Sequence, residues 1–272
     1  MKLHFTKMTG AGNDFVLVDN RDSRLRLRPE QIARLCNRHF GIGADGMLVA
    51  ERDGKEDGIR MRYYNADGGE ASLCGNGARC FARFLQSLGK GQEEDRISFL
   101  TGAGPVEAWF AGEEVSISMP DPGAAPLRQL VATRHGPLEV YWIDTGVPHL
   151  VVFVQSVEGI DVEELGRELR WLPDFAPEGA NADFVELLGS GRLAVRTYER
   201  GVEAETLACG TGVTASALVA HLAKGLASPV SVLVRSGDCL RVLFESAGDG
   251  FHGVRLQGPA TMVFKGEMEV SE

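Results

Sequence analysis

Short runs of β-branched and aromatic residues, bounded by turn formers, recur along the chain. Phe15–Asp19, Gly58–Tyr64, Ile97–Leu100 and Val115–Met119 have this pattern and are predicted strands. Two segments, Ala78–Leu88 and Val213–Lys224, repeat their apolar residues at helical spacing instead. The second, Val213-Thr-Ala-Ser-Ala-Leu-Val-Ala-His-Leu-Ala, is small and apolar nearly all round. Such a helix is normally enclosed on every side, so it is expected inside a curled sheet. The first carries Arg79 and Arg83 on one face and is expected to be less completely enclosed. Thr261–Val270 alternates again like a strand.

The pattern repeats at a spacing of about 135 residues. Cys74-Gly-Asn-Gly77 returns as Cys209-Gly-Thr-Gly212, each with a glutamate four residues earlier (Glu70, Glu205), expected to serve the helix start, and a helical segment after it. Thr101-Gly102 matches Ser236-Gly237, and Gly12 with the strand from Phe15 matches Gly146 with the strand from His149. Gly41–Asp45 also resembles Gly179–Asp183. The expected fold is α/β (α+β): two pseudo-symmetric lobes, each a curled mixed or antiparallel sheet around a central helix, with the active site in the inter-lobe cleft. The first lobe is expected over 1–119, with a strand over 260–272 returning to it, and the second over 120–259. The Pro/Gly-rich stretch Pro120–Pro126 connects them.

Composition narrows the function. A formal net charge of −10 argues against general affinity for nucleic acid or anionic membranes but leaves small zwitterionic substrates open. The longest apolar run, Leu150–Val154, is too short to cross a bilayer, and Met1–Phe5 lacks a signal-peptide core, so a cytoplasmic location is expected. Five cysteines with no CxxC pair and no Cys/His cluster suggest neither a disulfide framework nor a metal site. Cys36, Cys80 and Cys239 are expected to be small buried hydrophobes.

Cys74 and Cys209 differ from those three because each precedes a helix start in the duplicated motif. The first N–H groups of a helix lack internal partners and lie at the positive end of its dipole, where carboxylates bind and thiolates are stabilised. Glycines 75, 77, 210 and 212 let a ligand approach those amides. Two such elements facing one tetrahedral carbon provide an acid and a base on opposite faces, which is the requirement for inversion. No lysine lies in a pyridoxal-phosphate setting and no GxGxxG or P-loop is present, so no cofactor is expected.

Met8-Thr-Gly-Ala-Gly-Asn-Asp-Phe15, Tyr64-Asn-Ala-Asp-Gly68, Cys74-Gly-Asn-Gly-Ala-Arg-Cys80 and Tyr198-Glu-Arg-Gly201 with Ala208-Cys-Gly-Thr-Gly212 together resemble the diaminopimelate epimerase family over essentially the whole chain. The resemblance implies a cofactor-independent isomerase that converts LL-diaminopimelate to the meso form for lysine and peptidoglycan synthesis, usually as a homodimer. It implies that Cys74 and Cys209 are the catalytic pair. Substrate contacts would fall on Asn13, Asn65, Asn181, Glu199 and Arg200 and on the amides of Gly75, Asn76, Gly210 and Thr211, with His149 beside the catalytic centre. Neighbours in a strand point to opposite faces, so Glu199 and Arg200 need a turn to serve one site. Val147 and Gly46 depart from the asparagine and glutamine of some members. The alternatives are a racemase or epimerase of proline or another amino acid, an isomerase on the same fold without thiol chemistry, and a non-catalytic amino-acid-binding protein.

Overall fold

In the computed structural model, residues 1–54, 58–91, 95–248 and 250–270 are described. They divide into two compact units, 1–117 with 258–272, and 118–257. Positions 271 and 272 of the expected returning strand lie outside the described residues.

In the first unit, β1 (Lys2–Gly10) reverses into β2 (Asn13–Asp19) through Ala11 and Gly12. These two residues hold φ of 57° and 81°, the paired left-handed geometry of a two-residue hairpin turn. The chain then passes through α1 (Pro29–Cys36) to β3 (Gly46–Arg52), which runs parallel to β2. β4 (Ile59–Asn65) pairs antiparallel with β3, folds back as β5 (Glu70–Ala71), and meets β6 (Arg96–Thr101) in parallel. β7 (Gly104–Ala111) and β8 (Glu114–Ser118) extend the sheet antiparallel. The last strand, β18 (Thr261–Glu269), returns to pair antiparallel with β1 from Lys2↔Glu269 to Thr9↔Thr261. The helix α2 (Gly75–Ser87) packs against β1, β2, β3, β4 and β7.

The second unit repeats this order. β9 (Leu127–Thr133), β10 (Gly136–Asp144) and β11 (Pro148–Val154) form an antiparallel meander. After α3 (Val162–Arg170), β12 (Asn181–Gly189) runs parallel to β11. β13 (Arg192–Glu199) and β14 (Ala204–Thr206) form the counterpart of β4 and β5. β15 (Val230–Leu233) lies parallel to β13, and β16 (Cys239–Ala247) and β17 (Gly250–Pro259) complete the order. The helix α4 (Gly210–Lys224) packs on β10, β11, β12, β13, β15 and β16. Its residues are small enough for the sheet to close on every side, and those from Val213 to Ala220 are all buried. Each unit is a mixed sheet around one helix, so the fold is strand-dominated α+β, as the hydrophobic pattern predicted. Among the described residues, no helix is long and apolar enough to cross a membrane.

Four expectations need correction. Arg79 is fully buried, not on an open helix face. Its guanidinium donates to Asn76 Oδ1 at 2.8 Å and to the carbonyls of Gly75 and Pro259, which satisfies a charge that would otherwise be costly to enclose. Cys239 is exposed, at the outward-facing start of β16 opposite Leu233. Glu70 and Glu205 do not serve the helix starts. They bind Arg62 and Arg196 bidentately, with closest approaches of 2.6 Å, and so fasten β5 to β4 and β14 to β13. Finally, Gly41–Asp45 is not the counterpart of Gly179–Asp183. Phe15 pairs with Gly46 and His149 with Asn181, so Asp45 precedes β3 while Asp183 lies within β12.

Candidate active site

Each of the two cysteines is the N-cap of its unit's central helix. Cys74 has φ −134° and ψ 122°, and Cys209 has φ −110° and ψ 111°, so an extended segment gives way to helix at the sulfur-bearing residue. Neither side chain makes a full capping hydrogen bond to the helix it begins, although the Gly212 amide still favours the Cys209 thiolate. Gly75–Asn76 and Gly210–Thr211 supply the first-turn amides, at the positive end of each dipole.

In the first unit the hairpin turn at Ala11–Gly12 delivers Asn13 to Cys74. Asn13 Nδ2 donates to Asp45 Oδ2 at 2.8 Å, which leaves Oδ1 facing Cys74 Sγ at 3.4 Å and Asn76 Nδ2 at 3.5 Å. Asn76 is 2% exposed, and its other amide atom is held by Arg79. Behind this cluster, Arg38 forks onto Asp14 at 2.8 and 2.9 Å and reaches Asp45 at 2.7 Å. Lys7 Nζ meets Asp14 at 2.7 Å. Burial alone would raise the Asp14 carboxyl, but the bonds to Arg38 and Lys7 outweigh it and hold the group well below the usual carboxylate range. Asn65 makes no hydrogen bond with this cluster. It is exposed at the end of β4, opposite Gly46, and its backbone closes the turn to Gly68 and Gly69.

In the second unit Cys209 is only 7% exposed. Its Sγ lies 3.4 Å from Thr211 Oγ1. Burial pushes this thiol well above its usual value, and the charges of Glu199 and Asp183 push it further, only partly offset by the Thr211 hydroxyl and the Gly212 amide. Burial also raises Glu199. His149 and Asp183 are both wholly buried, with Nδ1 2.7 Å from Oδ2, and the Thr197 hydroxyl donates to Asp183 Oδ1 at 2.7 Å.

The turn needed for Glu199 and Arg200 is present: β13 ends at Glu199, Gly201 has φ 91°, and Glu203 N returns to the Glu199 carbonyl. Asn181 Oδ1 accepts from the Arg200 amide at 2.8 Å, and the Arg200 guanidinium pairs with Glu178 at 3.3 Å. Arg170, buried on α3, ties these loops together by donating to the Glu178 carbonyl at 2.6 Å and to Glu203 at 3.1 Å.

The structure thus groups Asn13, Cys74 and Asn76 in one unit. In the other it groups His149, Asn181, Glu199, Arg200, Cys209 and Thr211. Sequence reasoning missed the residues that hold these groups: Asp45, Arg170, Asp183 and Thr197. Asp183 was within reach of pattern arguments, because a parallel β11–α3–β12 unit that pairs His149 with Asn181 places Asp183 two residues on, on the same face. At Gly46 a Cβ would stand 2.6 Å from the Tyr64 carbonyl and 2.8 Å from the Tyr63 ring, so the chain leaves no room for a larger residue there.

The family model described as diaminopimelate epimerase matches residues 5–122 and 141–263. The chain belongs to the diaminopimelate epimerase family. The diaminopimelate epimerase of Aquifex aeolicus is 38% identical over 277 residues, covering 98% of each chain, and that of Chlorobaculum tepidum is 39% identical, covering 95% of this chain and 98% of its own. Among solved structures, a phenazine biosynthesis protein of the PhzF family from Bacillus anthracis superimposes with a TM-score of 0.72 at 17% identity, covering 99% of this chain and 100% of its own. A hydroxyproline epimerase from Agrobacterium vitis gives 0.70 at 15%, covering 98% and 92%. At such identities the likeness extends to the fold alone, which the epimerase family shares with both.

Proposed function

We propose that the chain interconverts LL- and meso-2,6-diaminopimelate without a cofactor, with Cys74 and Cys209 acting as the paired base and acid. The observation that carries this reading is the matched placement of the two cysteines as N-caps of the two central helices, in a chain that matches diaminopimelate epimerases end to end. One thiolate takes the α-proton while the other thiol delivers a proton to the opposite face. The α-proton is far less acidic than a thiol, so the carbanion must be stabilised by groups already in place. The amides of Gly75–Asn76 and Gly210–Thr211 and the two helix dipoles supply that stabilisation at the substrate carboxylate, about 3–4 kcal/mol per well-aimed donor. Asn13, Asn65, Asn181 and Glu199 bind the substrate's polar groups, and Arg200 exchanges its Glu178 partner for the distal carboxylate.

The test is incubation of the reduced protein with LL-diaminopimelate in D₂O, following α-proton loss and the LL/meso ratio together. Deuterium uptake with approach to an isomer mixture is expected, and the absence of exchange under reducing conditions would overturn the reading. Val147, in place of an asparagine in some members, makes proline and hydroxyproline the necessary control substrates. Light scattering tests the homodimer that the family resemblance implies, and fractionation tests the expected cytoplasmic location.

A further inference from the structure

We propose that Asp183 is a positioning residue that fixes the proton of His149 on Nδ1 and thereby presents a bare Nε2 to the reacting centre. The proposal deepens the epimerase reading and rests on it for the kinetic arm of its test.

The geometry is closed on every side but one. His149 on β11 and Asp183 on β12 have no exposed side-chain surface and meet at 2.7 Å. The remaining carboxylate oxygen takes the Thr197 hydroxyl from β13, also at 2.7 Å. A carboxylate only accepts, so the proton in the His149–Asp183 contact belongs to Nδ1. Nε2 is buried too, and it has no hydrogen-bond partner among the described residues. A buried ring nitrogen without a protein partner is uncommon in a folded protein and is completed from outside the chain, by a ligand or an ordered water.

The first turn of α4 is shaped to accept this carboxylate. A Cβ on Gly212 would lie 2.3 Å from Asp183 Oδ1 and 3.2 Å from Thr197 Oγ1, so glycine is what allows Asp183 to approach the positive end of the helix. The groups facing His149 are Asp183 from β12 and Glu199 from β13. Cys209, at the start of α4, faces both carboxylates. His149 therefore belongs to the same cluster as the proposed acid/base sulfur, and with Nδ1 committed to Asp183 the ring in its neutral form offers that centre a hydrogen-bond acceptor. The corresponding register positions of the first unit, Phe15 and Leu48, cannot form such a pair.

The test is ¹⁵N NMR of the histidine ring in the full-length protein at a pH where the ring is neutral. The expected spectrum shows His149 with a protonated Nδ1 and an unprotonated Nε2. In Asp183→Asn, Thr197 retains the amide oxygen, so the NH₂ group faces Nδ1 and drives the proton to Nε2. The ¹⁵N pattern should reverse, and kcat/KM for diaminopimelate should fall about 10²-fold or more, mostly in kcat. A wild-type spectrum with the proton on Nε2 overturns the proposal, even if the variant fails to fold. A reversed tautomer with unchanged kcat/KM overturns it equally. Absence of turnover on diaminopimelate by the wild-type protein would sink the substrate reading while leaving the tautomer result standing.

Discussion

The two helix starts share a backbone and differ in what lies beneath them. Under Gly77, the nearest atoms to an added Cβ are Leu48 Cδ2 and the Phe15 ring, each at 3.4 Å. Under Gly212 they are Asp183 Oδ1 at 2.3 Å and Thr197 Oγ1 at 3.2 Å. Phe15 and His149 hold equivalent places, as do Leu48 and Asp183, because Phe15 pairs with Gly46 and His149 with Asn181 across parallel strands. The first unit reaches its cysteine with polar groups from the start of β2 and the first turn of α2, through Asn13 and Asn76, over an apolar floor. The second places its polar groups in the floor itself. One consequence concerns charge. Cys209 is buried among carboxylates and pushed well up, so it rests as a thiol at neutral pH, whereas Cys74 is half-buried and its helix sits on apolar Leu48 and Phe15 beneath Gly77. A pseudo-symmetric backbone here carries two chemically distinct thiols, which suits a reaction that needs one acid and one base at a time.

The strongest break of this comparison removes the sulfurs. Cys74→Ala and Cys209→Ala should each lower epimerisation by about 10³-fold or more, because each deletes one of the two proposed acid/base groups. Thermal unfolding should change little in Cys74→Ala. Residual turnover above about a hundredth of the wild-type rate in either variant would show that the two thiols are not both required.

The glycines give the next largest effect, with opposite signs. Gly212→Ala forces a methyl group onto the Asp183 carboxylate and should cost about 1–3 kcal/mol. Gly77→Ala meets only ordinary contacts and should gain up to about 1 kcal/mol from improved helix propensity. Differential scanning calorimetry of the pair decides it, and equal shifts would mean that the floors beneath the helices do not differ in the way described.

These contrasts also mark what the sequence could disclose. The duplication, the helix starts and the enclosed α4 were legible because they depend on short local patterns: CGxG, and a run of small apolar residues. The burial of Arg79 was not, since an arginine on a helix signals a solvated face until its carbonyl partners, one of them Pro259, are known. The false match of Asp45 to Asp183 arose because both follow Gly-X-X-Ala in the sequence, and only strand register separates them. The His149–Asp183 contact spans 34 residues and becomes visible once β11 and β12 are known to be parallel.

Access to the thiols sharpens the comparison at smaller amplitude. Iodoacetamide at neutral pH should alkylate half-buried Cys74 faster than Cys209, because burial and the neighbouring carboxylates hold Cys209 in its thiol form. Exposed Cys239 serves as the internal reference. Peptide mass spectrometry over a time course reads all three, and alkylation of Cys209 first would contradict the burial and charge argument.

The smallest effect lies at acid pH and should be confined to the first unit. Asp14 is held below its ordinary 3.8 despite burial, because Arg38 and Lys7 bind it. A depressed carboxyl contributes stability that is fully present above the unfolded-state value and is lost as pH falls through the folded one. The contribution should therefore be intact at neutral pH and fade below about pH 4. The equivalent position in the second unit is Pro148, which has no charge to lose. Arg38→Ala should cost about 1 kcal/mol at pH 7, a modest figure because the Arg38 side chain is 57% exposed and solvent screens the pair. The difference from wild type should shrink progressively as pH falls below about 4. Hydrogen exchange at pH 7 and pH 3 should show protection falling in β1 and β2 before it falls in β10 and β11. Equal loss in both units would mean that the Lys7–Asp14–Arg38 cluster does not set the acid limit of the first sheet.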